Sequence, residues 1–313
     1  MDDRDYIIGI DLGGTKIAAA AFDRNHKRLG KVQSIPTMAR QPTALTLMNL
    51  KRVVGQARRG AELRGTERRG TEFKDAPLAI GMGSPGPLDT QKGLLLQIDT
   101  LPNLSNFNMS GFVEAELGAP LFLENDANCF ALAEALAGAG REHSIVAGLT
   151  LGTGFGCGIV VDGQIQTGAR GNAGEVSHCR VAGGTFDEML SGSGVQRLYQ
   201  RIAGKEAPPP KELGKMAEEG DTDAIATWEA YGAALGQGIG MICAVVDPSI
   251  CVVGGSVARR FSLFQASLER EMRPWLCSPS AEEIQVVPAQ LDNTAGVTGA
   301  AEYAFLHLGR AER

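Results

Sequence analysis

A run of strand, tight turn, strand and strand occurs twice in this chain, and it constrains the possible folds more than any other feature. Residues 6–35 begin with the apolar segment YIIGIDL, turn at GGT and continue through KIAAAAFD and LGKVQSIPT. Residues 145–168 follow the same order through GLTLGTG, GCGIVVDG and QIQTGA. Because a repeated supersecondary unit indicates repeated structure, we predict two similar domains. The length of 313 residues supports this, since it exceeds what one simple core usually fills.

The composition narrows the classes of partner. Hydrophobic residues make up 43% and charged residues 21% of the chain, which are ordinary values for a globular protein. The net charge of −6 argues against nucleic acid as the main partner.

The spacing of the cysteines and the first residues of the sequence indicate the cellular compartment in which we expect the protein. The six cysteines form no C-x-x-C pair, so neither a disulfide framework nor a zinc ribbon is indicated. The acidic start, MDDRDYIIGI, leads directly into a strand pattern and does not resemble a signal peptide. No uninterrupted apolar run is long enough to cross a bilayer, so we expect no membrane contact. A reducing cytoplasm is the expected location.

Strands alternate with helices in the rest of the chain. The segment LFLEN predicts a strand that ends at Asn125, and a helix follows over 126–140. Helices are also predicted over 42–58, 222–245 and 294–308, and we expect the last to return to the first domain.

A short repeat follows the helix predicted over 42–58. The segments RGAE, RGTE and RGTE begin at Arg59, Arg64 and Arg69. Their mixed charge and glycines predict a solvated loop or a frayed extension of the helix. A basic patch for nucleic acid is disfavoured because Glu62 and Glu67 interrupt it.

Two glycine-rich turns have the composition of phosphate-binding loops. In DLGGTK, residues 11–16, the glycines allow backbone N–H groups to converge on an anion, and Thr15 adds a hydroxyl donor. TLGTGFGCG, residues 150–158, is the counterpart in the second half. Either segment alone could be a hairpin turn without a ligand, but together they predict a site for a polyphosphate. Asp11 would then lie near the phosphates and could hold Mg²⁺ through water.

The segment LENDAN places Asp126 at the end of a strand and the start of a helix. One interpretation is a helix N-cap, worth roughly 1 kcal/mol. The other is a general base, since a helix N-terminus keeps the carboxylate ionised and able to accept a proton from a substrate hydroxyl. The residues allow both.

Two further loops suit a ligand that needs many neutral hydrogen bonds. GMGSPGPLD, residues 81–89, and LPNLSNF, residues 101–107, are rich in turn residues and side-chain amides. Such loops could bind a polyhydroxylated molecule or could be ordinary turns.

Six segments in this order and spacing resemble the ROK family of bacterial sugar kinases and repressors: DLGGTK, GSPGPLD, LPNL, LENDAN, LGTGFGCGIVVDG and GARGNAGEVSH. The resemblance runs from about residue 7 to 306 and implies an α/β protein with the actin-like, ribonuclease H-like ATPase fold. That fold has two domains hinged around a cleft, which we place at 1–122 plus 299–313 and at 123–298. The implied reaction is ATP-dependent phosphorylation of a hexose at its 6-hydroxyl, with ATP and Mg²⁺ as cofactors.

The resemblance also implies roles for individual residues. Asp126 matches the family's catalytic base. The positions that match sugar contacts are Gly83, Asn103, Asn125, Glu175 and His178. The positions that match the phosphate loops are Gly13, Gly14, Thr15 and Lys16 in the first, with Asp11 before them, and Thr153 and Gly154 in the second. Gly254 and Gly255 match the turn beside the adenosine.

The segment after His178 departs from the family pattern. Many members have a C-x-C-G-x-x-G-C-x-E segment there, whose cysteines bind structural zinc with the His and whose Glu contacts the sugar. Here Cys179 is the only cysteine in the interval, so we predict no zinc and a packed Cys179. Asp187 falls at the position of the family's Glu, and Glu188 is the alternative sugar contact.

Several functions remain open at this stage. Glucose is the leading substrate, and fructose, mannose, allose and N-acetylhexosamines are alternatives within the family. Polyphosphate is an alternative phosphoryl donor. A sugar-responsive repressor is disfavoured because only about five residues precede the first strand, where those members carry a DNA-binding segment, and a non-catalytic sensor is disfavoured by Asp126. Family precedent implies a homodimer.

Overall fold

The chain folds into two compact units. The computed structural model describes residues 5–67, 76–181, 183–278 and 283–311. The first unit comprises residues 1–133 and 293–313, and the second comprises residues 134–292.

The first unit is built mainly from the N-terminal part of the chain. In order it contains β1 (Tyr6–Leu12), β2 (Lys16–Asp23), β3 (Arg28–Pro36), α1 (Thr43–Glu67), β4 (Ala79–Ser84), β5 (Leu88–Asp89), β6 (Leu94–Leu95), β7 (Phe107–Asn108), α2 (Met109–Leu117), β8 (Leu121–Asn125) and α3 (Asp126–Ala137).

The second unit follows within α3, and the chain then returns to the first. In order these elements are β9 (Ile145–Leu151), β10 (Phe155–Val161), β11 (Gln164–Ile165), β12 (Arg180–Val181), β13 (Gly184–Thr185), α4 (Phe186–Leu190), α5 (Gly192–Ala203), α6 (Pro210–Glu218), α7 (Thr222–Val246), β14 (Ile250–Gly254), α8 (Phe261–Met272), β15 (Gln285–Pro288) and, back in the first unit, α9 (Ala295–Ala311).

The main sheet of each unit has the same topology. The first has the order β3-β2-β1-β4-β8 and the second the order β11-β10-β9-β14-β15. In both, three strands form an antiparallel meander, and two further strands are added parallel to its first strand. The duplication predicted from the sequence is therefore confirmed, and so is the α/β class.

Parallel pairing places the loops of the first unit at one edge of its sheet. β1, β4 and β8 run in the same direction, so their carboxyl ends lie side by side. The turn after Leu12, the loop after Ser84 and the start of α3 after Asn125 all begin at this edge. In open parallel sheets this edge is where ligands bind.

Close packing of α9 on the first sheet requires two glycines. A Cβ atom at Gly9 would lie 1.9 Å from the Val297 carbonyl oxygen, and one at Gly81 would lie 1.8 Å from that of Ala300. On the opposite face, α1 buries Leu50, Val53 and Val54 in a cluster with residues of β1 and β2. The N-terminal end of α9 consequently lies against β1.

Two helices differ from the prediction. The helix predicted over 42–58 extends as α1 to Glu67, so Arg59 and Arg64 are helical, while Arg69 lies outside the described residues. α7 is long and apolar enough, by length and composition, to cross a membrane, although no uninterrupted apolar run was expected to reach that length. Its buried residues, Trp228 and Tyr231 among them, belong to the core of the second unit, as in the core helix of a globular protein.

The division between the units also differs from the predicted boundary at residue 122. The first unit continues to residue 133 because β8 pairs with β4, which makes Leu121–Asn125 part of the first sheet. Asn125 and Asp126 therefore belong to the first unit.

Candidate active site

Asp11 lies at the carboxyl edge of the first sheet, beside the N-terminus of α9. In the strand register it is opposite Gly83, which is in turn opposite Glu124. A Cβ at Gly296, in the first turn of α9, would lie 2.9 Å from an Asp11 carboxylate oxygen. Burial raises the pKa of the Asp11 carboxyl, and the charge of Lys16 opposes this shift. A carboxylate is a ligand that a hard cation such as Mg²⁺ prefers, so Asp11 is a residue that could hold one.

The first glycine-rich turn is held by Thr37. Its hydroxyl donates to the Gly13 carbonyl oxygen at 2.5 Å, and its backbone N–H donates to that of Thr15 at 3.0 Å. Gly14 is required because a Cβ there would lie 2.8 Å from the Thr100 carbonyl oxygen. Thr15 and Lys16 are exposed. The turn is therefore a fixed element that presents a hydroxyl and an ammonium group to solvent.

Asp126 begins α3 directly after β8, as predicted, but it is not the residue that caps the helix. The side-chain oxygen of Asn125 accepts hydrogen bonds from the backbone N–H groups of Ala127 at 2.9 Å and Asn128 at 3.3 Å. This is the N-cap pattern, so the cap predicted at Asp126 lies at Asn125. The Asp126 carboxylate also accepts a hydrogen bond from the Ala127 N–H, at 2.8 Å. The Asn125 oxygen is thereby committed to the helix, and its amide nitrogen is the group left for a ligand.

Sequence reasoning did not single out Cys129, which lies one turn into α3. Its side chain is fully buried, and its sulfur would lie 3.1 Å from a Cβ at Gly83. Burial, with the charges of Glu124, Asp126 and Asp11, raises the pKa of the Cys129 thiol well above its usual value. The buried thiol is therefore neutral, and the absence of a side chain at Gly83 makes room for it.

Asn103 joins its own loop to α1 and to the segment before α1 through hydrogen bonds. Its amide nitrogen donates to the carbonyl oxygen of Gln41 and to the hydroxyl of Thr46, both at 2.8 Å. Its backbone carbonyl accepts from the hydroxyl of Thr43 at 2.7 Å. The side-chain oxygen of Asn103 is buried without a hydrogen-bond partner among the described residues.

In the second unit, the glycine-rich turn between β9 and β10 is joined to α4 and α5. The backbone N–H of Gly152 donates to the Gly154 carbonyl oxygen at 3.0 Å, and Gly192 donates to that of Gly152 at 2.8 Å. Asp187 accepts a hydrogen bond from the backbone N–H of Phe155 at 2.8 Å. Thr153 at the tip is exposed. Asp187 thus has a contact with the turn itself.

Glu188 is used inside α4. Its carboxylate accepts from the backbone N–H of Thr185 at 2.9 Å, and the Thr185 hydroxyl accepts from the Glu188 N–H at 3.2 Å. This reciprocal capping box fixes the start of the helix. Of the two acids considered, Asp187 is therefore the one whose carboxylate is not taken up by the helix cap.

Glu175 directly precedes a short 3₁₀-helix, Val176–His178, and His178 is the last residue of that helix. Both side chains are exposed. The preceding Gly174 has φ +86° and lies so close to β10 that a Cβ would be 2.4 Å from the Cys157 carbonyl oxygen. Burial, helped by the charge of Glu175, raises the pKa of the Cys157 thiol to about 12. Glu175 therefore lies near β10 with its carboxylate toward solvent.

The shortened segment after His178 forms a small hairpin. β12 and β13 pair between Arg180 and Thr185, and the Cys179 carbonyl accepts from the Phe186 N–H at 3.0 Å. Cys179 is exposed, so the expectation of a packed side chain is wrong: its backbone, not its thiol, makes the structural contact. Within residues 5–67, 76–181, 183–278 and 283–311, no three His, Cys, Asp or Glu side chains are grouped so that they could hold a metal ion.

Gly254 and Gly255 form the turn that ends β14. Gly255 has φ +95°, and a Cβ there would lie 2.4 Å from the Leu151 carbonyl oxygen, so this position requires glycine. Leu151 is the last residue of β9 and precedes the turn that contains Thr153. The two glycine-rich turns of the second unit therefore begin at the same edge of its sheet.

Comparisons with known proteins place this architecture. The model of the ROK family matches residues 7–305. A glucokinase from Thermotoga maritima is 30% identical over 326 residues, which cover 97% of this chain and 98% of the relative. An N-acetyl-D-glucosamine kinase from Citrobacter koseri is 31% identical over 320 residues, covering 96% and 98%. The crystal structure of a ROK family glucokinase from Streptomyces griseus in complex with glucose and AMPPNP superposes with a TM-score of 0.75 at 27% identity, covering 95% and 98%.

The fold is that of the actin-like ATPase sugar kinases. Each of the two units contains one main sheet, and the two sheets have the same topology. The chain belongs to the ROK family. The resemblance drawn from the six sequence segments is confirmed.

Proposed function

We propose that this protein is an ATP-dependent hexose kinase that transfers the γ-phosphoryl group to the 6-hydroxyl of its sugar, with Asp126 as general base. The observation that carries the proposal is the position of Asp126 at the first turn of α3. There it shares the carboxyl edge of one sheet with Asp11, Gly83 and the first glycine-rich turn. The relatives named glucokinase and N-acetyl-D-glucosamine kinase support a sugar kinase.

The chemistry needs one proton acceptor and a site for charge. Asp126 accepts the proton of the 6-hydroxyl as the oxygen–phosphorus bond forms and the bond to ADP breaks. The proposed hydrogen-bonding groups for the sugar hydroxyls are the amide of Asn125 and the side chains of Asn103, Glu175 and His178. The space of the missing side chain at Gly83 is filled by Cys129 and Asp126 of α3, so the backbone of Gly83 is the part proposed to contact the sugar.

The phosphates and the adenosine are assigned to the glycine-rich turns. The backbone N–H of Gly14, with Thr15 and Lys16, would bind phosphate oxygens, as would Thr153 and Gly154 in the second unit. The Gly13 N–H already donates to the Lys16 carbonyl oxygen at 3.0 Å, so Gly13 would shape the turn. Gly254 and Gly255 would border the adenosine. Mg²⁺, when bound at Asp11, neutralises phosphate charge.

Glucose is the proposed substrate. It is supported by the glucokinase from Thermotoga maritima and by the glucose complex of the Streptomyces griseus enzyme. The N-acetyl-D-glucosamine kinase of similar identity makes the N-acetylated sugar the second candidate. Other hexoses, and polyphosphate as donor, are tested in the same assay. A non-catalytic sensor or repressor would bind the sugar without releasing ADP.

We further propose a cytoplasmic homodimer that does not bind nucleic acid or membranes. The net charge of −6 and the burial of α7 in the core of its unit support the last two points.

The test is ADP release with MgATP over a panel of glucose, N-acetylglucosamine, mannose, fructose and allose, with polyphosphate as the second donor. We expect the highest kcat/KM with glucose. Asp126→Asn should lower kcat by at least about 100-fold and keep glucose binding, as measured by calorimetry. Equal turnover of Asp126→Asn and the unchanged protein would remove Asp126 from its role, and binding without ADP release on any sugar would favour the sensor.

A further inference from the structure

Glu124 is a buried acid that the proposed mechanism does not use. It lies in β8 directly before Asn125, and its side chain is only 2% exposed. The other buried residue nearby in β8, Leu123, belongs to the apolar core of the first unit. A carboxylate is costly to bury unless it is hydrogen-bonded, so an acid here calls for a specific role.

One oxygen of Glu124 holds the junction between β8 and α3. It accepts from the backbone N–H of Asn125 at 2.7 Å and from the side-chain amide of Asn128 at 3.0 Å. Asn125 in turn caps the helix through Ala127 and Asn128. The two networks meet on Asn128, and Asp126 lies in the chain between the residues that they join.

The second oxygen of Glu124 is buried and has no hydrogen-bond partner within the described part of the chain. A half-satisfied buried carboxylate is unfavourable for stability, and replacing such groups by apolar residues is often neutral or stabilising. Residues that violate a local rule of stability are expected near functional sites. Glu124 is itself too buried to touch a substrate, so its effect must pass through the residues that it holds.

Asp126 is also fixed from the neighbouring strand. A Cβ at Gly83 would lie 3.6 Å from the Cα of Asp126 and 3.3 Å from the Cβ of Cys129. The backbone of α3 thus lies directly on β4, while Glu124 sets the peptide that precedes it. These contacts leave the first turn of the helix little freedom to shift.

We infer that Glu124 is a positioning residue, which holds the strand-to-helix junction so that the Asp126 carboxylate is directed at the substrate hydroxyl. The inference rests on the proposed kinase function. A displacement of a reacting group by about 1 Å can lower a rate by about 100-fold. The contribution of Glu124 should therefore appear in kcat and not in the affinity for ATP.

The test compares Glu124→Ala with Glu124→Gln. Alanine removes both hydrogen bonds, whereas the glutamine oxygen can still accept from Asn125 and Asn128. We expect Glu124→Ala to lower kcat by about 10- to 100-fold with KM for ATP within about threefold, and Glu124→Gln to recover kcat to within about threefold. Glu114→Ala, an exposed acid in α2 of the same unit, is the matched control and should leave turnover unchanged.

Hydrogen exchange supplies a readout that does not depend on activity. The Asn125 amide should exchange faster in Glu124→Ala and at the parent rate in Glu124→Gln. Turnover is given per folded molecule, so a loss of folded protein alone would not count as support. The inference is overturned if Glu124→Gln is as slow as Glu124→Ala, or if Glu124→Ala retains the parent kcat. If the unchanged protein turns over no hexose, the kinase proposal is rejected instead. Even then, an unchanged exchange rate of the Asn125 amide in Glu124→Ala would reject the role of Glu124.

Discussion

The carboxylate of Asp187 accepts a hydrogen bond from the backbone N–H of Phe155 at 2.8 Å and so joins α4 to the second glycine-rich turn. Sequence comparison with the family assigns this position to the sugar, whereas the contact in the structure is to the loop proposed for phosphate. The two roles predict different kinetic effects.

If Asp187 supports the turn, Asp187→Ala should raise KM for ATP by roughly tenfold, about the cost of one lost charge-assisted hydrogen bond. KM for the hexose should change little. Asp187→Asn keeps an acceptor oxygen and should lie nearer the parent. A rise confined to the hexose KM would instead assign Asp187 to the sugar.

The hairpin after His178 predicts a protein without structural zinc. We expect elemental analysis of the purified chain to find well below one zinc per molecule, and chelator treatment to leave the melting temperature unchanged. A relative that carries the complete cysteine segment serves as a positive control. Stoichiometric zinc would contradict the prediction.

Glu134 is a fully buried acid in α3 whose carboxylate is satisfied by backbone donors. It accepts from the N–H groups of Ala139 and Leu291, both at 2.9 Å, and of Gln290 at 3.2 Å. Glu134→Ala would leave these donors without their acceptor, so we expect a loss of about 3 kcal/mol in the free energy of unfolding.

The control for this variant is Glu142→Ala, an exposed acid a few residues along the chain. Its effect should lie within about 0.5 kcal/mol. Denaturant titration of both variants measures the difference. A loss below about 1 kcal/mol for Glu134→Ala would show that water replaces the carboxylate at little cost.

His26 predicts a pH-dependent contribution to stability. Its ring nitrogen lies 2.6 Å from a carboxylate oxygen of Glu302 in α9. The hydrogen bond to Glu302 raises the pKa of His26, although burial opposes the shift. The stabilisation is therefore fully present below the unfolded pKa of about 6.5 and is lost as pH rises through the higher folded pKa. Because half of the His26 side chain is exposed, it should amount to at most about 1 kcal/mol.

The measurement is the difference in unfolding free energy between the parent and His26→Asn at pH 6 and at pH 9. Asparagine is chosen as the replacement because His26 has φ +60°, a backbone conformation that asparagine tolerates. The difference should shrink at the higher pH. Glu302→Gln should reduce the pH dependence to the smaller part that the charge of Asp23 contributes to the raised pKa of His26, and a difference that grows with pH would contradict the assignment.

Two glycines of α9 form a matched pair. A Cβ at Gly299 would lie 1.7 Å from the Cys129 carbonyl oxygen, whereas one at Gly309 would meet nothing within 4 Å. Gly299→Ala should therefore destabilise the protein by about 2 kcal/mol or more, and Gly309→Ala should stabilise it by roughly 0.5–1 kcal/mol through helix propensity. Thermal unfolding of the two variants compares the effect of close packing at Gly299 with the effect of helix propensity at Gly309 in the same helix.

Local sequence determined the elements and much of the candidate site. Alternation and apolar runs are local patterns, so β1, β8 and α7 lie where the sequence predicted them. Glycine-rich turns and the LENDAN segment are also local, since conformational freedom and helix starts depend on a few neighbouring residues. For the same reason, the duplicated meander identified two similar units before any contact was known.

Tertiary structure decided which of these groups meet. Thr37 and Glu124 carry no local signal of function, because their roles arise from hydrogen bonds to the turn at Gly13 and to the junction at Asn125. Asn125 and not Asp126 is the N-cap of α3, because the direction of each side chain depends on how the backbone passes from β8 into α3. Asp11 came near Cys129 only when parallel pairing aligned β1, β4 and β8, whereas Glu124 and Asp126 are close to Cys129 in the chain. Some of these contacts, such as Thr37 with Gly13, join residues far apart in the chain. The others join near neighbours through side-chain directions that no periodicity records.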